Sequence, residues 1–274
     1  MLKIIKVVVV LMLACFQTNV MAQNFQGIAT YKSHRKVDLK VNDEKGNSEM
    51  QKQIQEQLRK QFQQEYTLTF NKNESIYKRE EKLEAPNPVQ SGIRIQVSQG
   101  SDVMYKNIKE NRYTNKTEIF GKLFLIKDTL VNKQWQLVNE TKNIGDYTCF
   151  KAVFSHEVTS QTLTEEGEIE NVTKPRTVTV WYTPQIPINN GPAEFYGLPG
   201  LILEVNDGDL TLICTKIIIN PTEEVSIDEP SKGKEVTQAE FDEINDKKSK
   251  EMMEQFQSRR GSGDGERVMI RIGG

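Results

Sequence analysis

The sequence predicts a mainly β (α+β) domain, a large antiparallel meander sheet joined by two capping amphipathic helices. Three observations carry that expectation. Short runs rich in β-branched and aromatic residues recur along the chain, their connections are short and polar, and only two segments switch to a helical period. No long helical pattern separates one strand-like run from the next, so repeated βαβ units are not indicated.

The chain opens Met1-Leu2-Lys3-Ile4-Ile5-Lys6 and runs apolar from Val7 to Phe16. Basic residues, a short apolar stretch, and Val20 and Ala22 before Gln23 form a secretory signal pattern, with cleavage expected between Ala22 and Gln23. The apolar run is about half the ~20 residues that cross a bilayer. Cys15 offers a lipid-anchored alternative, although Met12 stands where a lipoprotein signal favours a branched aliphatic residue. The expected organisation is a signal peptide over 1–22, one β-rich domain over 23–258 and a flexible tail over 259–274. It implies an exported, periplasmic or envelope-associated protein without a transmembrane segment in the mature chain. Lys and Arg number 36 against 38 Asp and Glu, net −2, and loss of Lys3 and Lys6 leaves the remainder more acidic. That balance argues against nucleic acid as a partner.

The first extended segment begins at Gln26, where Ile28, Thr30 and Lys32 alternate with Ala29, Tyr31 and Ser33. From Glu49 the period changes. Met50, Ile54, Leu58 and Phe62 fall four apart among polar residues and draw the apolar stripe of the first helix. Strand signals return at Tyr66–Phe70 and Ser75–Tyr77, and Ala85-Pro86-Asn87-Pro88 reads as a loop. Further β-type runs cover 102–108, 112–117 and 121–126, another begins at Gln134-Trp135-Gln136-Leu137, and Gly145-Asp146 opens Tyr147–Phe154. The polar, acidic stretch from Glu157 to Lys174 reads as a surface hairpin or loop. Its Glu165-Glu166-Gly167-Glu168 lacks the aspartate and glycine spacing of a calcium cage. Thr237-Gln238-Ala239-Glu240 has the form of a capping box and starts the second helix, with Phe241, Ile244, Met252 and Phe256 on its apolar face. Val268-Met269-Ile270-Arg271-Ile272 alternates, as a late edge strand or a partner-binding segment would.

Between Thr177 and Ile219 the backbone is strongly specified. Thr177–Thr183 reads as a strand, Pro184 ends it, and Asn190-Gly191-Pro192 marks a turn. Gly197 and Gly200 allow conformations or close approaches that a side chain forbids, and Pro199 pushes Leu198 towards an extended form. The turn is expected to deliver Leu201, Leu203 and Val205 to one face of a strand. Asn206-Asp207-Gly208-Asp209 reverses the chain so that Leu210, Leu212 and Cys214 line the returning strand.

These residues resemble the GLPGLI family, whose hexapeptide stands here as Gly197-Leu198-Pro199-Gly200-Leu201-Ile202. Trp181-Tyr182-Thr183, Ile186-Pro187, Gly191-Pro192 and Phe195 extend the resemblance before it, and Ile144–Cys149 with Lys151-Ala152 extends it upstream. The resemblance implies an exported protein of Gram-negative bacteria without an assigned biochemical role. The order of parts is also similar to periplasmic lipoprotein carriers, which implies a curved or half-barrel sheet wrapped on helices.

Chemistry is sparse. His34 and His156 are the two histidines, and neither has a His or Cys at metal-ligand spacing, so no metal or cofactor is expected. Cys149 and Cys214 lie in apolar runs. A disulfide between them would close a loop of roughly 65 residues, worth about 4 kcal/mol on the chain-entropy model, and two buried thiols fit the same sequence equally. There is no Gly-x-Ser-x-Gly elbow and no phosphate loop. Trp181, Tyr182 and Tyr196 read as core packing or an aromatic platform. Glu194, Glu204, Asp207 and Asp209 flank the motif as candidate scattered carboxylates for a hydrolase. The expected function is a non-enzymatic module that binds an apolar ligand or a membrane-protein partner. A structural or assembly factor acting through helices and tail, and the hydrolase, stand as alternatives.

Overall fold

The computed structural model describes residues 25–35, 63–80, 103–119, 121–163, 169–223 and 225–259. Within them lie twelve strands and one helix: β1 (Gln26–Arg35), β2 (Glu65–Asn71), β3 (Glu74–Arg79), β4 (Val103–Asn107), β5 (Arg112–Ile119), β6 (Lys122–Thr129), β7 (Gln136–Ile144), β8 (Tyr147–Leu163), β9 (Ile169–Thr183), β10 (Leu201–Asp207), β11 (Leu210–Ile219), β12 (Lys234–Val236) and α1 (Gln238–Arg259). They form one sheet in the order β12-β6-β5-β4-β3-β2-β1-β11-β10-β9-β8-β7, antiparallel throughout except where β12 joins β6. The sheet is open, with β12 and β7 at its edges, and the fold is mainly β.

The sheet is bent by its own connections. A flat sheet of this order would hold β6 and β7 about 48 Å apart, at ~4.8 Å per strand spacing. The chain between Thr129 and Gln136 reaches at most about 25 Å when fully extended. The two ends therefore curl towards each other, and the strap 130–135 bridges them. Trp135 in that strap donates its indole N–H to Tyr196 O at 2.8 Å and meets Phe154 edge-on at 4.8 Å between ring centroids.

Alternation on the strands selects the inner face as the sequence does. Ala29, Tyr31 and Ser33 of β1 are buried, and Lys32 and His34 between them are exposed. Two apolar clusters line the interior. One gathers around Tyr31 with Leu68, Phe70, Tyr77, Leu203 and Cys214. The other joins β8–β11 through Ala152, Phe154, Val178, Val180, Val205 and Leu212.

Several expectations change. Of the hairpin and the loop that the stretch from Glu157 allowed, the structure has the hairpin, in register from Phe150↔Tyr182 to Leu163↔Ile169. Leu201, Leu203 and Val205 do not share one face. A bulge between Ile202 and Glu204 puts Leu201 and Leu203 in the first cluster and Ile202 and Val205 in the second. The expectation of two helices capping the sheet is not supported. The first, with Met50, Ile54, Leu58 and Phe62, lies outside the described residues, as do the signal segment with Ala22 and Gln23 and the tail. The second starts as read: Thr237 N donates to the Glu240 carboxylate at 2.8 Å and Glu240 N to Thr237 Oγ1 at 3.3 Å. Its first turns touch the sheet, where Phe241 and Ile244 pack on Phe124, Ile126 and Val236. Asn245-Asp246-Lys247-Lys248 then interrupts its apolar stripe. No described helix is long and apolar enough to cross a membrane.

Phe241→Ala should therefore lower the unfolding free energy by about 2 kcal/mol in a urea titration, the cost of emptying a half-buried aromatic site.

Candidate functional site

The interior of the sheet is filled from one end by the connection between β9 and β10. This plug, residues 184–200, leaves the sheet at Pro184, crosses the concave face to β3 and β4, and returns at Leu201. Its apolar residues divide between the two clusters: Ile186 and Ile188 complete the one around Tyr31, Phe195 and Leu198 the other, and Ala193 touches both. It also pairs with the start of β10. Leu201 N donates to Ile186 O at 3.0 Å and Ile202 N to Asn190 O at 3.0 Å.

A buried ammonium anchors the far end of the plug. Lys106 on β4 is 0 % exposed. Its Nζ donates to Ala193 O at 2.7 Å, Gly191 O at 2.8 Å and Phe195 O at 3.3 Å. Three acceptors demand three N–H donors, which only the charged form supplies. Burial nevertheless lowers its pKa to about 7, with Glu194 opposing the shift and Lys133 adding to it. On the next strand Ser75 Oγ bonds Asn190 Oδ1 at 3.2 Å. Ala193 holds φ at +47°, uncommon for a residue with a Cβ, and its carbonyl is among the Lys106 acceptors.

The hexapeptide closes the plug onto the sheet. Gly197 has φ +99°, a conformation that disfavours any side chain, and its amide bonds Asn189 Oδ1. A Cβ on Gly200 would lie 2.2 Å from Thr183 O, so glycine is required for the backbones to pass. Leu198, Leu201 and Ile202 are buried and Pro199 is exposed. Ile202 O accepts the Tyr31 hydroxyl at 2.7 Å, tying the motif to β1. Of the flanking residues, Gly191, Pro192, Phe195 and Tyr182 are buried, and Pro187 is exposed between Ile186 and Ile188.

The aromatic platform does not assemble. Trp181 and Tyr182 are successive on β9 and point to opposite faces. Tyr182 packs with Phe195, Leu198 and Ile202. Trp181 carries the Lys142 ammonium 4.4 Å and the Lys151 ammonium 6.0 Å from its ring centre, and these lysines pair with Glu204 at 2.7 Å and Glu140 at 2.9 Å. Glu204 is thus engaged in an ion pair and Asp207 faces Arg176 at 3.7 Å, whereas Glu194 is exposed on the plug. Cys149 and Cys214 are buried free thiols in the cluster around Tyr31, each pushed up by burial, to about 11 and about 12. His34 and His156 are exposed on β1 and β8, and no group of three His, Cys, Asp or Glu converges among the described residues.

Sequence reading missed Lys106, Ser75 and Tyr77. The one signal available was Lys106 between Tyr105 and Asn107 on the inward parity of β4, and a lysine at such a position reads as solvated unless the plug is known.

Residues 135–204, from the strap to β10, match a family described as "Protein of unknown function (Porph_ging)". No curated protein matches the chain. Two solved structures are similar. PNGF-II in a C2 space group shares 14% identity at a TM-score of 0.48 over 80% of this chain and 32% of that one. PNGF-II in a P21 space group shares 14% at 0.47 over 81% and 33%. The chain spans about a third of the length of those chains.

Lys106→Met should destabilise the fold by about 3 kcal/mol, because three buried carbonyls lose their donor at once. Its folded-state pKa lies below the ordinary 10.5, so the unfolded chain binds a proton that the folded chain has released between pH 7 and 10. The gap in unfolding free energy between wild type and Lys106→Met should therefore widen from pH 7 to pH 9, as read by urea denaturation at each pH. Gly200→Ala should cost more than about 3 kcal/mol, since the obstructing atom is backbone rather than a movable side chain.

Proposed function

We propose that this chain is an exported, non-enzymatic envelope protein of the GLPGLI type whose curved sheet binds an apolar ligand. The observation behind the reading is that the concave face is furnished unequally. The plug anchored by Lys106 completes the cluster around Tyr31, and Tyr66 and Met104 are only partly buried where they pack against that cluster. A rigid sheet with part of its inner face pre-shaped by a fixed loop is a cup built before its ligand arrives, which lowers the entropy lost on binding. The acids around the motif supply no contrary chemistry, since Glu204 and Asp207 face basic partners. The likeness to lipoprotein carriers, a curved sheet able to shelter an apolar chain, belongs to the same reading.

Mass spectrometry of solvent extracts from protein purified out of its native envelope tests it. The expected result is one apolar small molecule at near-equimolar amount, absent from protein refolded from denaturant. An empty native protein that also takes up no apolar dye would sink the reading.

A second reading, assembly with an envelope protein, is favoured by the β8–β9 hairpin. Beyond Ser155↔Thr177 its strands pair with each other and with neither β7 nor β10. They form an arm ~27 Å long at ~3.3 Å per residue. Two-stranded ribbons are marginal alone in water. Photocrosslinkers at Thr159 and Thr173 should capture an envelope protein under this reading, and adducts from positions on α1 alone would count against it.

A further inference from the structure

One cross-strand row on the concave face runs Leu68–Tyr77–Met104–Asn115–Ile126, from β2 to β6. Two of its members hold buried polar atoms with no hydrogen-bond partner, Tyr77 Oη and Asn115 Oδ1. Tyr77 is only 6 % exposed. Buried polar groups are nearly always paired, because an orphan forfeits its bonds to water and costs about 1–3 kcal/mol. Here two orphans share a row with one residue between them, about 10 Å apart at the backbone.

Their surroundings are apolar and bounded on both sides. The Tyr66 ring stacks on Tyr77 at 5.0 Å with 5° between planes, and Met104 stands between the two orphans. Lys106 and Ser75 hold the plug on the adjacent row, and α1 rests on Phe124 and Ile126 at the row's far end. Among the described residues, the middle of the row therefore lies between the plug and α1. Burial, with Tyr66 and then Glu194 adding to it, pushes the Tyr77 hydroxyl up, and Glu194 opposes the lowering of Lys106 by burial.

We infer that Tyr77 and Asn115 are the polar end of a site for a long-chain molecule bearing one neutral hydroxyl. That hydroxyl accepts the Tyr77 O–H and donates to Asn115 Oδ1, which meets both orphans with one group. The chain lies along Met104 and the Tyr66 ring, where a flexible thioether and an aromatic face suit an alkyl partner. An anionic head would meet Glu194 and the Asn115 oxygen, and a cationic head would meet Lys106, so the neutral head is selected. The inference rests on the apolar-ligand reading and names the ligand class and its contacts.

The test uses the purified chain, N-phenyl-1-naphthylamine as fluorescent probe, and displacement by 1-dodecanol or dodecane. Wild type should release the probe to the alcohol at about tenfold lower concentration than to the hydrocarbon, one hydrogen-bonded group's worth of affinity. Tyr77→Phe should keep probe binding and erase that preference. It should also raise the melting temperature of the unliganded chain, since it deletes an unpaired hydroxyl without changing shape. Equal displacement by alcohol and hydrocarbon in wild type, or a lower melting temperature for Tyr77→Phe as when a resident water fills the place, overturns the head-group site and leaves the apolar-ligand reading standing. Failure of wild type to bind the probe removes both.

Discussion

The Lys106 ammonium sits where the two halves of this molecule meet. β4 belongs to the half of the sheet formed by β1–β6, and the plug belongs to the half formed by β7–β10. Three carbonyls from the plug converge on one side chain that has no exposure to water. A charge in that position is tolerable only with all its protons placed, and the carbonyls are tolerable only with their donor present. Each therefore enforces the other, and the bond fixes how far the sheet bends. If β4 moved away by one strand spacing, Nζ would lose every acceptor.

The bend also gives the plug two walls to pack on. The strap 130–135 draws β6 towards β7, and the plug fills part of the inner face with a segment in which Ile186 and Ile188 alternate with exposed residues. Ile186 and Ile188 face one cluster, and Phe195 and Leu198 the other. The hexapeptide's glycines belong to this solution. Gly200 lets the returning chain pass against Thr183 O, and Gly197 supplies a turn that a Cβ would resist. The motif is a device for seating the plug. Its conspicuous composition reflects backbone crowding.

Polar groups on the opposite side are handled by pairing. Lys142 and Lys151 flank Trp181 and reach Glu204 and Glu140, so the ring is covered by charged side chains whose stems are apolar. Across β5, Glu229 from the segment before β12 accepts from Arg112 at 2.8 Å and Thr114 at 2.5 Å, which holds that segment against the sheet. Three buried side-chain oxygens lack a hydrogen-bond partner among the described residues: Asp207 Oδ1, which faces Arg176 at 3.7 Å, and Tyr77 Oη and Asn115 Oδ1 on the inner face.

Much of the fold was written locally. Alternation marked the strands, Gly145-Asp146 and Gly208-Asp209 marked strand boundaries, and Thr237 with Glu240 marked a helix start, because each depends on a few neighbouring residues and their backbone preferences. The importance of Gly197–Ile202 was legible in the same way, through its glycines and proline. What the chain does with those residues was not. The bulge that splits Leu201 and Leu203 from Val205 and the burial of Lys106 depend on contacts between strands far apart in sequence. Local sequence set conformation and parity. Only tertiary structure decided which surfaces close on one another, since the curvature that joins β4 to the plug arises from the whole sheet at once.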